Sequence, residues 1–352
     1  DYVGLTPAAT DIDMYEEDAQ QDRGPLSPLV PAACAGWMES LRRYGSMDAA
    51  DVFQPAIELA EGGFALTVKN SSFFAGNVNE LRKFPASAST YLVDGRCPEP
   101  GEVLVQQDLA ETLRAVATDG PDAFYGGSIG DVIAAYMADV GGILTKQDLV
   151  DNRPQWLDPI SVDYRDWTVW APPAPCQAIQ YLETLKLLEG FDIAGMGHNT
   201  ADTLHTFIEA VKLACIDRIT YAAVDASPTA GLLTDGYVEA RRKLIGETSA
   251  VSMGDTFRID EQEGEVAPGD PQPWMKNECT THFDTIDAEG NAVACTQSLG
   301  SGFGSAMVVP GTGITLNNFM RWFDRVQGSP NAIGPSKKNE MCVSPAQVWD
   351  KD

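Results

Sequence analysis

Histidine is scarce in this sequence of 352 residues: His198, His205 and His282 are the only three. Zinc centres draw on histidine or on clustered cysteine, so this stock argues against one and no metal is expected. Basic residues are few as well, 24 Lys and Arg against 51 Asp and Glu, for a formal charge of −27. Such a surface repels phosphate backbones and anionic headgroups, which removes nucleic acid from the expected partners. The seven cysteines are far apart, odd in number and include no C-x-x-C pair, so buried thiols are expected in place of a disulfide framework. No apolar run approaches the roughly 20 residues that span a bilayer, and no charged-then-apolar leader opens the chain, so no membrane partner is expected. Internal repeats and low-complexity blocks are missing too, and nothing implies a cofactor.

What is there is a globular composition, 44% hydrophobic, ample for one large α/β unit or two smaller domains. Asp1 to Val3 reads as the tail of a strand, and Met341 to Trp349 as a strand ending in a turn at Asp350 to Asp352, so a piece of a longer polypeptide is expected. Residues Asp11 to Asp22 are acidic and aperiodic, predicting an exposed loop. Helical spacing predicts helices over Ala32 to Tyr44, Asp48 to Glu61 and Gln106 to Asp119. A pair split at Gly126-Gly127 follows within Pro121 to Tyr136, then a short helix at Lys146 to Val150. A hairpin is predicted from Ile160 to Tyr164 and Trp167 to Trp170 across Arg165-Asp166. Pro172, Pro173 and Pro175 then block pairing and feed a helix at Gln177 to Leu188. A longer helix, Thr203 to Ala222, presents Leu204, Phe207, Ala210, Val211, Ala214 and Ile219 as its buried side, with His205 packing or capping. Glu261 to Gln272 is read as a long exposed connection.

The chemistry concentrates in Glu278 to Ser298, ECTTHFDTIDAEGNAVACTQS. Alternation from His282 to Asp287, a turn at Gly290-Asn291 and alternation from Ala292 to Ser298 describe a hairpin with a hydroxyl at its mouth. A threonine at a strand's first position becomes an N-terminal nucleophile if the chain breaks before it, because the freed α-amine is its general base. The candidate bond is Cys279-Thr280.

Around this hairpin the motifs accumulate. TTHFDTIDAEGNAV, GFGSAMVVPGTGITLNN and SPNAIGPSKKNEMCVSP follow Thr280 in order; LVPAACAGWMESLRRYG, DLAETLRAVATDGPDAFYGG, GGILTKQDL, YRDWTVWAPPAP and LHTFIEAVKLACIDR precede it. Together they resemble the γ-glutamyltransferase family of N-terminal-nucleophile hydrolases over most of the chain. The resemblance implies an α+β fold, a four-layer αββα sandwich, with a large-subunit portion at residues 1–279 and a small-subunit portion at 280–352 cut from one precursor. A further dimer of such pairs is left open. It implies that Thr280 is both autoprocessing and catalytic nucleophile and that Ser298 stands where the family has a second, hydrogen-bonding threonine. Thr281, His282 and Asn318 are implied as supporting residues. The freed amine, with an unperturbed pKa of about 7.7 to 8.0, suits a general base near neutrality.

Departures from the family pattern point to the substrate. Val3 stands where γ-glutamyl enzymes have a carboxylate-binding arginine, Gly300 replaces an asparagine, Phe319 a glutamine, Trp322 an amine-gripping aspartate, and Met341 and Cys342 a pair of serines. The loop at Asp324 to Pro330 is shortened. These six positions are substrate-pocket candidates, and their loss of polarity argues against recognition of a free amino-acid head. The pattern is more similar to the family's acylase and amidohydrolase branch. The expected function is an autoprocessing amidohydrolase or acyltransferase acting on a small-molecule amide that is not a γ-glutamyl compound. True γ-glutamyl transfer, and an uncleaved relative with a binding or structural role, stay open. The family's oxyanion glycine pair is expected beyond Asp352; Gly302 and Gly304 are read as backbone-shaping residues instead.

Overall fold

The computed structural model describes residues 4–223, 227–247 and 280–351. Asp1 to Val3, Cys279 and the 261–272 connection lie outside the described residues. The first part is mainly helical: α1 (Asp18–Asp22), α2 (Ala33–Tyr44), α3 (Ala49–Gly62), α4 (Val68–Leu81), α5 (Pro85–Tyr91), α6 (Gln107–Asp119), α7 (Pro121–Tyr125), α8 (Ser128–Asp139) and α9 (Lys146–Asp151). Two short strands, β1 (Phe64–Ala65) and β2 (Val103–Leu104), pair antiparallel within it. Next come β3 (Ile160–Tyr164), β4 (Trp167–Ala171), α10 (Ala178–Leu188), α11 (Ile193–Met196), α12 (Ala201–Tyr221), α13 (Thr229–Leu232) and α14 (Asp235–Arg242). The final part supplies β5 (Thr281–Ile286), β6 (Ala292–Gln297), β7 (Val308–Val309), β8 (Ile314–Thr315) and β9 (Gln347–Asp350). Among the described residues these strands form sheets β1-β2, β3-β4-β9, β5-β6 and β7-β8, every pairing antiparallel.

Local chemistry sets several boundaries. Thr67 and Asn70 cap α4 reciprocally, as Thr145 and Asp148 cap α9, so that first-turn N–H groups are satisfied by side chains. The acidic stretch after Asp11 is not a plain loop: it forms a 3₁₀ turn at Ile12–Met14 and then α1. The Gln20 side chain accepts from the N–H groups of Glu16 and Glu17, and buried Gln21 donates to the carbonyls of Met320 and Phe323, contacts that composition does not show.

The helices form near the expected positions, but some bury different faces. In α12 the buried residues are Thr206, Glu209, Ala210, Leu213, Ala214, Cys215 and Asp217, while Leu204 and Phe207 are exposed. Trp37 and Tyr44 of α2, and Val52 and Leu59 of α3, are likewise exposed. The last part of the chain threads into the first. Met307, Val309 and Leu316 join Ile133, Met137 and Leu149 in one core. Buried Ser87 donates to the Ala306 carbonyl at 2.8 Å and accepts from Val308 N–H, also at 2.8 Å, while Thr112 donates to the Thr312 carbonyl.

A second buried feature joins α10, α12 and α14. Asp217 accepts from Tyr237 Oη at 2.8 Å and from Arg241 Nε at 3.0 Å, and Arg241 Nη2 closes the pair. Beside it, fully buried Glu183 receives no N–H or O–H on either carboxylate oxygen. Burial, and then the neighbouring Asp217, push the Glu183 carboxyl up to about 9. It is therefore protonated near neutrality and can donate to Asp217. Its folded value lies above its unfolded one, so between roughly pH 4.5 and 9 the folded state holds a proton that the unfolded chain lacks, and stability falls as pH rises through that window. Glu183→Gln keeps a donor and removes the titration. In urea denaturation from pH 5 to pH 9 the wild-type chain should lose stability relative to Glu183→Gln, by up to about 1.4 kcal/mol per pH unit; parallel curves would show that Glu183 is ionised in the folded state.

Candidate active site

The hairpin of β5 and β6 closes on Asp287. Its Oδ1 accepts from the N–H groups of Glu289 and Asn291, each at 2.9 Å, and its Oδ2 from Asn291 Nδ2 at 2.8 Å. These bonds, that of the Asn291 side chain first, hold the Asp287 carboxyl below the usual range. Gly290 takes φ +88°, a conformation that glycine adopts without strain. The turn fixes the register from Ile286 opposite Ala292 to Thr281 opposite Gln297. Because side chains alternate along a strand, Thr280, His282 and Asp284 share one face with Thr296 and Ser298, while Thr281 shares the other with Phe283 and Cys295. Two ties fix the hairpin's place: Trp37 Nε1 of α2 donates to Gln297 Oε1 at 3.1 Å, and Gln347 Nε2 of β9 donates to the Ala292 carbonyl at 3.3 Å.

At the hairpin mouth Thr280 Oγ1 donates to Ser298 Oγ at 3.2 Å, and Ser298 Oγ also accepts the Gly300 N–H at 2.9 Å. This bond orients the Thr280 hydroxyl; Ser298 Oγ accepts it but is no base, so attack by Thr280 Oγ needs a separate proton acceptor. Next along the same face, His282 Nδ1 lies 2.6 Å from Thr296 Oγ1, and its Nε2 lies 3.1 and 3.2 Å from the Asp284 carboxylate oxygens. Thr280, His282 and Thr296 line an open cleft of about 450 Å³ whose opposite wall is Cys342, Val343, Ser344 and Ala346. That wall is held to the start of α10: Met341 N–H donates to the Pro175 carbonyl at 2.8 Å, Gln177 N–H to the Met341 carbonyl at 2.9 Å, and Ser344 Oγ to Tyr181 Oη at 3.1 Å. A comparable cleft of about 490 Å³, lined by Asp13, Tyr15, Glu16 and Arg325 among others, includes no hairpin residue.

The remaining predicted positions separate into two groups. Gly300 (φ +101°) approaches Asn318 so closely that a Cβ there would lie 2.1 Å from Asn318 Oδ1 and 3.1 Å from the Trp322 ring. Trp322 and Phe319 pack with ring centroids 5.3 Å apart, so Gly300, Asn318, Phe319 and Trp322 are neighbours. Met341 is buried in a cluster with Phe319, Met320 and Phe323, beneath the surface, whereas the adjacent Cys342 faces the cleft. Val3 and Cys279 lie outside the described residues. Gly304 N–H is already donated to the Ser301 carbonyl, and Arg23 Nη1 holds the carbonyls of Gly302 and Gly304, so this turn serves backbone shape. His205 Nε2 bonds the Gly246 carbonyl at 2.7 Å, away from the hairpin. Sequence reasoning passed over Thr296, Asp284 and Ser301; the period of two counted from Thr280 would have found the first two. Among the described residues no group of three or more His, Cys, Asp or Glu could hold a metal, and no helix is long and apolar enough to cross a membrane.

The chain as a whole is similar to known proteins. The sequence profile of gamma-glutamyltranspeptidase matches residues 1–352. The acylase ACY 1 proenzyme of Pseudomonas sp. (strain SE83) is 34% identical over 361 residues, 98% of this chain, and the glutathione hydrolase proenzyme of Escherichia coli (strain K12) is 32% identical over 369 residues, 99% of this chain. The chain spans 62% of the length of each. Among solved structures, the cephalosporin acylase from Bacillus halodurans superposes with a TM-score of 0.82 at 30% identity, covering 99% of this chain and 63% of that one. The gamma-glutamyltranspeptidase of Helicobacter pylori shares the fold, with a TM-score of 0.69 at 24% identity over 75% of this chain and 79% of that one. Helices and strands mix here as in those relatives, and with the profile matching from end to end the chain belongs to the gamma-glutamyltranspeptidase family.

Proposed function

We propose that this protein is an autoprocessing amidohydrolase or acyltransferase that cleaves an amide through an acyl-enzyme on Thr280. The observation that carries this is the hydrogen bond from Thr280 Oγ1 to Ser298 Oγ at the mouth of the β5-β6 hairpin. In the precursor, Thr280 Oγ adds to the Cys279 carbonyl, the Cys279-Thr280 amide becomes an ester, and water hydrolyses it to a Cys279 carboxylate and a free Thr280 α-amine. In turnover that amine takes the Thr280 hydroxyl proton as Oγ attacks the substrate carbonyl, and the proton passes to the departing amine. Water or a second amine then resolves the ester. Residues 1–279 would become the large subunit and 280–352 the start of the small one, in keeping with relatives named as proenzymes.

We also place the chain in a four-layer αββα sandwich. Ile286 and Val293 of the hairpin, 75% and 56% exposed, and Trp167, Trp170 and Trp349 on the β3-β4-β9 sheet, are apolar surfaces suited to cover by further layers. The substrate is proposed to be other than a γ-glutamyl compound, because Gly300, Phe319, Trp322, Met341 and Cys342 bring no charged group to pair with an amino-acid head. A relative named as an acylase supports the same direction.

Intact-mass measurement should find two fragments from the wild-type chain, divided at Cys279-Thr280, and one uncut polypeptide with no amidase activity from Thr280→Ala; an uncut yet active wild type would overturn the proposal. Ser298→Ala should lower kcat/KM about tenfold through loss of one hydrogen bond to the nucleophile, with Ser298→Thr close to wild type. Simple acyl 4-nitroanilides should be cleaved in preference to the γ-glutamyl 4-nitroanilide, and the reverse order would restore γ-glutamyl transfer as the function.

A further inference from the structure

The polar face of the hairpin continues past Thr280 and Ser298. One pair further on, His282 stands opposite Thr296 and bridges Thr296 Oγ1, at 2.6 Å, to Asp284, at 3.1 and 3.2 Å. An ionised carboxylate only accepts hydrogen bonds, so the imidazole hydrogen sits on Nε2, facing Asp284. In the neutral ring Nδ1 is then a lone pair, and the Thr296 hydroxyl must donate to it. With its hydrogen committed to His282, Thr296 Oγ1 has only lone pairs left for the cleft that it lines together with Thr280.

We propose that Thr296, oriented by His282 and Asp284, is a specificity-determining hydrogen-bond acceptor that selects amides whose acyl group ends in an N–H donor, an ammonium above all. This deepens the proposed function and rests on Thr280 as nucleophile. Thr296 stands across from His282, two residues along the chain from Thr280, so Thr280 and Thr296 are diagonal neighbours about 7–8 Å apart, and the donor would sit at the far end of a short acyl chain whose carbonyl is at Thr280. Val343 and Ala346 on the opposite wall suit the methylenes between. Asp284, behind His282, and the net charge of −27 favour a cation at that end over a carboxylate. His282 and Asp284 act through Thr296 and are positioning residues.

Two 4-nitroanilides differing by ammonium for methyl, 5-aminopentanoyl and hexanoyl, test this on the full chain. The wild type should show the higher kcat/KM with the 5-aminopentanoyl compound. Thr296→Val should lower the ratio of the two kcat/KM values at least tenfold, mainly through KM, and Thr296→Ser should restore it. His282→Leu should also lower it, because the Thr296 hydrogen is no longer directed away from the cleft. A ratio unmoved by Thr296→Val, or wild-type preference for hexanoyl, overturns the proposal. Calorimetry of the Thr280→Ala chain with 5-aminopentanamide and hexanamide reads the same discrimination without turnover. Tighter binding of the amine, lost in Thr280→Ala/Thr296→Val, supports the assignment even if Thr280 proves not to be the nucleophile, and equal binding refutes it even if Thr280 is.

Discussion

Two adjacent asparagines hold the end of the described chain to its beginning. Asn317 reaches Leu29 with both ends of its amide, accepting from the N–H at 3.0 Å and donating to the carbonyl at 2.9 Å, in the manner of a strand partner. Asn318 donates to the Asp22 carbonyl and to Ser301 Oγ and accepts from Ser301 N–H. Buried amides of this kind are costly unless satisfied, and here donors and acceptors are matched across nearly three hundred residues of sequence. The exit of β6 depends on them. Gly300 is compelled by the Asn318 carbonyl oxygen, and the Gly300 N–H is what reaches Ser298. The geometry at the hairpin mouth is thus fixed from outside the hairpin.

The same network separates the Thr280–Ser298 pair from the side chains at 319, 322 and 342. The hydroxyl pair is positioned by backbone register and by the asparagine clamp, neither of which depends on what sits at 319, 322 or 342. Phe319 and Met341 pack in the cluster under the site, Trp322 packs at a tilt against Phe319, and Cys342 faces the cleft. Exchanging polar anchors for apolar side chains at these places enlarges a hydrophobic cluster already present and strands no buried charge, a change a fold can tolerate.

Much of this was legible in the sequence, and the limits have physical causes. The β5-β6 hairpin was readable because its alternation and its Asp-Ala-Glu-Gly-Asn turn are local signals. So were α6, α8 and α10, where spacing and glycine or proline boundaries agree. The buried face of α12 was misread because Glu209 and Asp217 count as surface residues by type; Glu209 pairs with Lys212 on its own helix, but Arg241, the partner that permits burial of Asp217, is evident only once α12 and α14 are docked. The residues after Asp11 looked like loop because what orders them is Gln21 bonding to carbonyls some three hundred positions away. Within the site, Thr280 stood out as a hydroxyl at a strand's start, and Ser298 through the resemblance to the family's second threonine. Thr296 did not, since its importance comes from an imidazole beside it and not from its own position.

The tie between Trp37 and Gln297 has an optical consequence. An indole N–H bonded to a side chain one residue before Ser298, on a helix surface open to solvent, couples the electronic environment of a fluorophore to β6, the strand that leads to Ser298. A movement of that strand relative to α2 alters the indole's hydrogen bond. Trp37 is therefore a built-in optical probe of β6, on the face of the hairpin opposite Thr280 and Ser298.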